Sequence, residues 1–315
     1  MIRVRLARIV RLSRFRDHLP PSLERSLMPF LVLAGVLWGT GGLLGTLFGT
    51  AAGLSPLAVA CYRLAVGGAL ICGWLLLTGR RVPPRRDAWL RVVATGALAA
   101  LFQGCYFAAV ARTSVSVATL VAIASAPVVV LLVDAVRGRR PGRRTLAGTV
   151  LALAGLALLV EVPGGGGVTG ALFAALAGAG FAVMSLLAER PVAGLDAPTT
   201  TGAGFLFGGL LLAPGAATAG LAFTPTPTAL ALLLAFGVVP TAVAYTVYFR
   251  GVAAASAGVG AVLALLEPLT AAGLAAVVLG DRLGPVGTVG AVVLGVALLL
   301  VALPERVRSS YRRSA

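Results

Sequence analysis

The sequence predicts an all-α membrane protein of ten transmembrane helices arranged as two inverted five-helix repeats. Three observations predict it. Of 315 residues, 59% are hydrophobic and only 11% charged, whereas a soluble domain is about 25% charged; such a chain cannot cover itself with polar surface. Its apolar residues fall into ten segments, each close to the roughly 20 residues that a spanning helix needs. The two halves of the chain resemble one another at a spacing of about 142 residues.

The first two segments run over about 29–48 and 57–77, the next two over 92–111 and 117–133, and the fifth over 146–162. The second set runs over about 169–188, 200–221, 229–249, 257–279 and 286–303. The connections are short and broken by Gly and Pro, as in "GRRVPPRRD", "GRRPGRR", "VPGGGG" and "TPTPT". The organisation that follows is a basic N-terminal segment (1–28), a first five-helix unit (29–162), a second (168–303) and a basic tail (304–315). No loop is long enough for a soluble catalytic module.

Charge orients the helices. The chain has a net charge of +16, and its 26 cations are all arginine. With the N-terminus inside, 23 of them lie in segments on that side, and Arg112 and Arg282 lie in loops on the other. Arg63 is inside a helix. An excess of arginine marks cytoplasmic segments, so both termini are expected in the cytoplasm of a cell-membrane protein, which also requires an even number of spans. The same distribution argues against nucleic acid as a partner, since the arginines sit between apolar runs rather than forming one base-reading face.

The repeat is visible in two places. "SPLAVACYRLAVGGAL" from Ser55 is answered by "APTTTGAGFLFGGLLL" from Ala197, and "YFAAVARTSVSVATLVAIASAP" from Tyr106 by "YFRGVAAASAGVGAVLALLEP" from Tyr248. Five helices is an odd number, so the halves must cross the bilayer in opposite senses. Inverted repeats are a transporter signature, with the binding site where the halves meet.

These residues resemble the drug/metabolite transporter superfamily, in particular its ten-helix EamA-type members, over about Pro29 to Leu303. The likeness is carried by "GVLWGT" in the first helix, "SPLAVACYRLAVGG" in the second, and "VARTSVSVATLVAIASAPVVVLL" across the third and fourth. The last stretch is "LEPLTAAGLAAVVLGDRLGPVGTVGAVVLGVALLL". The family commonly has an acidic residue after "LG", usually Glu, where this chain has Asp281. The resemblance implies export of small metabolites, amino acids or toxic compounds, with uptake in some members. It does not name a substrate.

Polar residues inside the spans are the candidates for substrate binding or coupling. Glu267 lies within the ninth helix, where an ionisable side chain is a functional hypothesis by default. It could couple protons or hold a polar substrate; the alternative is a structural carboxylate bonded to neighbouring helices. Pro268 follows it and can kink the helix, as can Pro127, its partner in the repeat. Arg63 could attract an anionic group or fix the second helix through an ion pair or carbonyl, and pairing with Glu267 is a further option. Trp38, Thr40, Gln103, Tyr106, Ser125, Thr241 and Tyr245 lie mid-helix and could line a pocket or simply pack; Trp38, deep in the first helix, is the best pocket candidate. Gly148 and Ala152, with Ala291 and Gly295, have the small-xxx-small spacing of close helix pairs, within the bundle or between subunits. The chain is therefore expected as a monomer or homodimer.

Catalytic and cofactor motifs are missing. There is no HExxH, no GxSxG, and no Lys-Ser/Thr after the "GGGG" run at 164–167. No metal site is expected from one histidine, His18, and three cysteines, Cys61, Cys72 and Cys105, that lack ligand spacing. Without a nucleotide motif, a gradient is the energy source, with protons the candidate coupling ion. The expectation is therefore a secondary transporter that exports a small molecule by alternating access, with no cofactor and no enzymatic activity. An importer or facilitator, or a non-transporting membrane enzyme or scaffold, are the alternatives. The inverted repeat argues against the last two, which need no two-fold alternation.

Overall fold

The computed structural model describes residues 21–113, 115–139, 141–160, 167–279 and 284–303. His18 and the first 20 residues, most of the glycine run at 164–167, Asp281, Arg282 and the tail 304–315 lie outside the described residues. Ten helices follow one another: α1 (Pro21–Ala52), α2 (Pro56–Leu77), α3 (Arg86–Val110), α4 (Val115–Val136) and α5 (Arg143–Leu159). They continue with α6 (Val168–Ala188), α7 (Ala197–Thr218), α8 (Pro227–Ala254), α9 (Ala257–Leu279) and α10 (Pro285–Ala302). Nine of these are long and apolar enough to cross a membrane by length and composition; α5, with 17 residues, is the shortest. Among the described residues there is no sheet, only one isolated bridge between Val192 and Leu195.

The same local signals start corresponding helices in each half. Ser55 accepts from Ala58 N ahead of Pro56 in α2, and Asp196 accepts from Thr199 N beside Pro198 in α7. Both are N-caps with Pro in the first turn, where its missing N–H costs nothing. The same two helices end at glycines with positive φ, Gly79 (72°) and Gly220 (86°), the left-handed conformation that terminates helices and suits glycine.

Packing repeats as well. In α1, a Cβ on Gly35 would meet Leu263 O at 2.9 Å and Leu266 Cβ at 2.8 Å; in α6, one on Gly178 would meet Ala122 O at 2.2 Å and Ser125 Cβ at 2.8 Å. So α1 sits on α9 as α6 sits on α4. The remaining large contacts follow the same two-fold rule: α3 with α6 answers α8 with α1, α3 with α7 answers α8 with α2, and α2 pairs with α7 and α5 with α10 across the repeat. Side chains are absent at the closest points, because without a hydrophobic drive between helices in lipid, close van der Waals packing must hold them. Gly68 faces Leu206 N and Gly209 faces Ala65 N in the α2–α7 pair.

The α5–α10 contact lies within the bundle, with Gly148 against Val301 and Ala152 fully buried. On α10, however, the close residue is Gly290, packed on the Leu159 backbone, rather than Ala291 or Gly295. A Cβ on Gly295 would only reach Leu269 at 4.0 Å.

Two helices are irregular. α8 contains a π-helical turn, Val238–Val243, around Pro240. α9 divides into Ala257–Leu263 and Leu266–Leu274 and ends in a π-helical turn, Ala275–Leu279. The break has a local cause. Pro268 cannot donate to the Ala264 carbonyl, and its ring clashes with it; that carbonyl instead accepts from Glu267 N at 3.0 Å, and Leu265 N turns to Val262 O. Pro127 lies inside an uninterrupted α4. The helix assignment is thus interrupted ahead of Pro268 and widened around Pro240, and continuous through Pro127.

Candidate functional site

A cavity lies where the two halves meet. Its walls are Trp38 from α1, Phe102 from α3, and Ala122, Ile123 and Ala126 from α4. Phe181 from α6, Tyr245 from α8, and Ala261, Ala264 and Glu267 from α9 complete them. Each half contributes three corresponding helices, the first, third and fourth of its repeat. The cavity volume is about 40 Å³, enough to hold water.

The residues singled out from the sequence divide into three groups. Trp38, Tyr245 and Glu267 are brought together on the cavity wall. Trp38 is 3% exposed, with its ring centroid 4.9 Å from Tyr245, 5.6 Å from Phe181 and 4.8 Å from Tyr248. Among the described residues its Nε1–H has no acceptor, and no side-chain hydrogen bond or ion pair reaches the Glu267 carboxylate.

Arg63 and Thr241 form a second group, beside the cavity. The Arg63 guanidinium donates through Nε to Thr241 Oγ1 at 3.1 Å and through Nη2 to Pro240 O at 3.3 Å. It also lies over the rings of Phe236 (5.2 Å) and Tyr245 (5.9 Å). Among the described residues no ion pair joins it to Glu267.

The third group is held away from the wall. Tyr106 shares a hydrogen bond with Thr119 at 2.8 Å. Thr40 and Ser125 donate back to Leu37 O and Val121 O in their own helices, the usual satisfaction of a hydroxyl in a span. Gln103 is buried, and its Nε2 has no partner among the described residues.

Phe102 and Phe181 were not singled out from the sequence. Phe181 has a signal there: "GVLWGT" from Gly35 and "GAGFAV" from Gly178 align in the repeat, which sets Phe181 opposite Trp38.

A second hollow, of about 210 Å³ by the same measure, opens at the end of the bundle that carries the loops around Arg80, Arg139 and Arg190. It is lined by Arg91, Thr95, Met184, Arg190, Asp196, Phe249 and Arg250 with their neighbours. Short steps along two helices separate the hollows. Phe181 and Tyr245 face the cavity, while Met184 and Phe249, three and four residues on, face the second hollow. Between them lie Phe205, 4.6 Å from the Tyr245 ring and 6.4 Å from that of Phe249, and Tyr248, whose hydroxyl is 2.8 Å from Ser185 Oγ. The layer is aromatic and buried, and it lies between the two spaces.

Comparison with known proteins agrees with this architecture. Residues 26–161 and 168–303 each match the EamA-like transporter family. The chain is 31% identical over 286 residues to "Uncharacterized transporter YwfM" of Bacillus subtilis (strain 168), covering 88% of this chain and 94% of that one. It is 23% identical to "Uncharacterized inner membrane transporter YicL" of Salmonella typhimurium, over 89% and 96% of the two chains. It is 29% identical to "Protein PecM" of Dickeya dadantii, over 87% and 92%. A solved crystal structure superposes with a TM-score of 0.77 at 22% identity, over 90% of this chain and 99% of that one; at that identity the likeness is one of fold.

Proposed function

This chain belongs to the EamA-like transporter family, and from that premise we propose that it is a secondary transporter exporting a small, largely apolar metabolite by alternating access. It is a multi-pass membrane protein and a transporter; the direction, the substrate class and the mechanism are our reading. The observation that carries the reading is the buried aromatic layer of Phe205, Tyr245, Tyr248 and Phe249 between two hollows.

An alternating-access carrier needs a site between its halves that never opens to both sides at once. The central cavity has that position, with three helices from each repeat. Its walls are aromatic and aliphatic, with Glu267 as the charged group, as small-molecule pockets are mostly apolar with few placed polar groups. At about 40 Å³ it is too small for a metabolite as it stands, which suits a closed conformation. In this reading the second hollow is the cytoplasmic vestibule, because the arginine-rich loops surround it. Rocking one repeat against the other parts the aromatic layer and widens the cavity toward that side. Export is the direction that the family resemblance implies.

Counterflow tests the reading. Purified protein in liposomes preloaded with pooled cell metabolites should accumulate at least one labelled component of the pool above the level of protein-free vesicles. Trp38→Ala should abolish that accumulation. A folded protein that exchanges nothing from any pool overturns the proposal.

A further inference from the structure

The second hollow holds three arginines. Arg91 rises from the second turn of α3, Arg190 follows α6, and Arg250 lies near the end of α8. Arg91 and Arg190 line the same hollow. Arg91 donates to the Leu187 carbonyl at the end of α6. Neither the Arg190 nor the Arg250 guanidinium has a hydrogen bond or carboxylate partner among the described residues; Arg250 rests over the Phe30 ring at 5.1 Å.

Asp196 is the acid on the wall, and its charge is already engaged. It pairs with Arg80 at 3.1 Å and caps α7 through Thr199 N at 2.9 Å. Glu189, next in sequence to Arg190, turns elsewhere, to Arg139 at 3.4 Å and to the backbone of Ala257. Like charges gathered in a concave space, with local carboxylates committed to other partners, leave an uncompensated positive field. Thr95 and Thr200 add hydroxyls to the same lining.

We propose that this hollow binds the phosphate or carboxylate group of an anion, held by Arg91, Arg190 and Arg250. Arginine suits the task, because its planar fork of donors matches both oxyanions and its charge persists at any working pH. Two sources could supply the group, a free small anion or the headgroup of an anionic lipid in the adjoining leaflet. The proposal concerns binding and does not depend on transport.

The test uses the full chain purified in a neutral detergent. Thermal unfolding is followed while inorganic phosphate is titrated against chloride at matched ionic strength. In parallel, phosphatidylglycerol is titrated against phosphatidylcholine in mixed micelles. The Arg190→Gln/Arg250→Gln double variant is set beside Arg81→Gln/Arg86→Gln, which removes the same charge outside the hollow. We expect saturable stabilisation by one probe, with its apparent Kd raised about tenfold or more in the hollow variant, as loss of charge-assisted bonds requires, and unchanged in the control. Saturation by phosphate identifies a free anion, and saturation by phosphatidylglycerol alone identifies a headgroup. Stabilisation by neither probe, or an equal loss in both variants, overturns the proposal. If the hollow variant fails to fold, Arg250→Lys, which keeps the charge but loses the fork, is read against the same probes. An affinity unchanged there also overturns it.

Discussion

Arg63 donates to the carbonyl of Pro240, 3.3 Å away across the interface between the halves. The contact completes a chain of bonds. Pro240 has no N–H to give to Phe236 O, and the helix widens into its π turn there. The Thr241 hydroxyl takes over, donating to Phe236 O at 2.8 Å, and Arg63 Nε donates in turn to Thr241 Oγ1. Freed backbone groups inside a membrane need such partners. Arg63→Gln should therefore destabilise the protein by about 1–3 kcal/mol. Arg63→Lys should recover only part of the loss, because a point charge cannot span both acceptors. Thr241→Val should act on the same chain, so the double variant should cost less than the two single losses together. Melting temperatures in detergent check this; full additivity would mean that the two residues do not act as a unit.

Glycine in α2 offers a comparison within one helix. A Cβ on Gly68 would sit 2.3 Å from the backbone nitrogen of Leu206, which cannot move aside, whereas one on Gly73 meets nothing within 4 Å. Gly68→Ala should cost about 1–3 kcal/mol by forcing α2 and α7 apart, and Gly73→Ala should be neutral or slightly stabilising. Equal melting temperatures for the two variants would contradict the α2–α7 contact.

Much of this was legible in the sequence, for a physical reason. Apolar length and a shared spacing are properties of the chain itself, so the ten helices and the two repeats could be read directly. Trp38, Tyr245 and Glu267 were also legible, since a large aromatic or an acid deep in a span stands out. What could not be read was direction. That the Thr40 and Ser125 hydroxyls donate within their own helices is set by rotamer and helix rotation, which residue type alone does not give. Arg63 could be placed mid-span, but its partner lies 177 positions away. Pro268 and Pro127 look alike in sequence, yet the helix assignment is interrupted ahead of the first and continuous through the second. On α10, the small residues that make contact depend on the rotation of the helix, which spacing alone does not set.

Topology follows from charge. With both termini on the arginine-rich side, a reporter that is active only outside the cytoplasm should be silent when fused to Ala315. The same reporter inserted at Gly220, between α7 and α8, should be active. Activity at Ala315 would reverse the assignment of the second hollow to the cytoplasm.

Glu267 tests coupling. Its carboxylate lines the central cavity and has no side-chain hydrogen bond among the described residues. A structural carboxylate would be bonded to its neighbours, and removing its charge would break a buried network. Here there is no such network to break. Glu267→Gln keeps the shape and removes the ability to ionise, so the melting temperature should stay the same or rise, since a carboxylate on a largely apolar wall without a bonded partner is costly. Transport should divide. Accumulation driven by an imposed pH gradient should fall to the level of protein-free vesicles, while exchange at equal pH on both sides, which needs no net proton movement, should persist. The measurement is both fluxes in the same liposome preparation, with the substrate that counterflow identifies. A variant that still concentrates substrate against its gradient would remove Glu267 from coupling. One that loses stability and both fluxes together would return it to a structural role. The residue lies two positions after the break at Ala264–Leu265 and directly before Pro268, and its N–H has moved to the Ala264 carbonyl. A loss of pH-driven accumulation with exchange intact would therefore tie coupling to the carboxylate beside this rearranged stretch of α9.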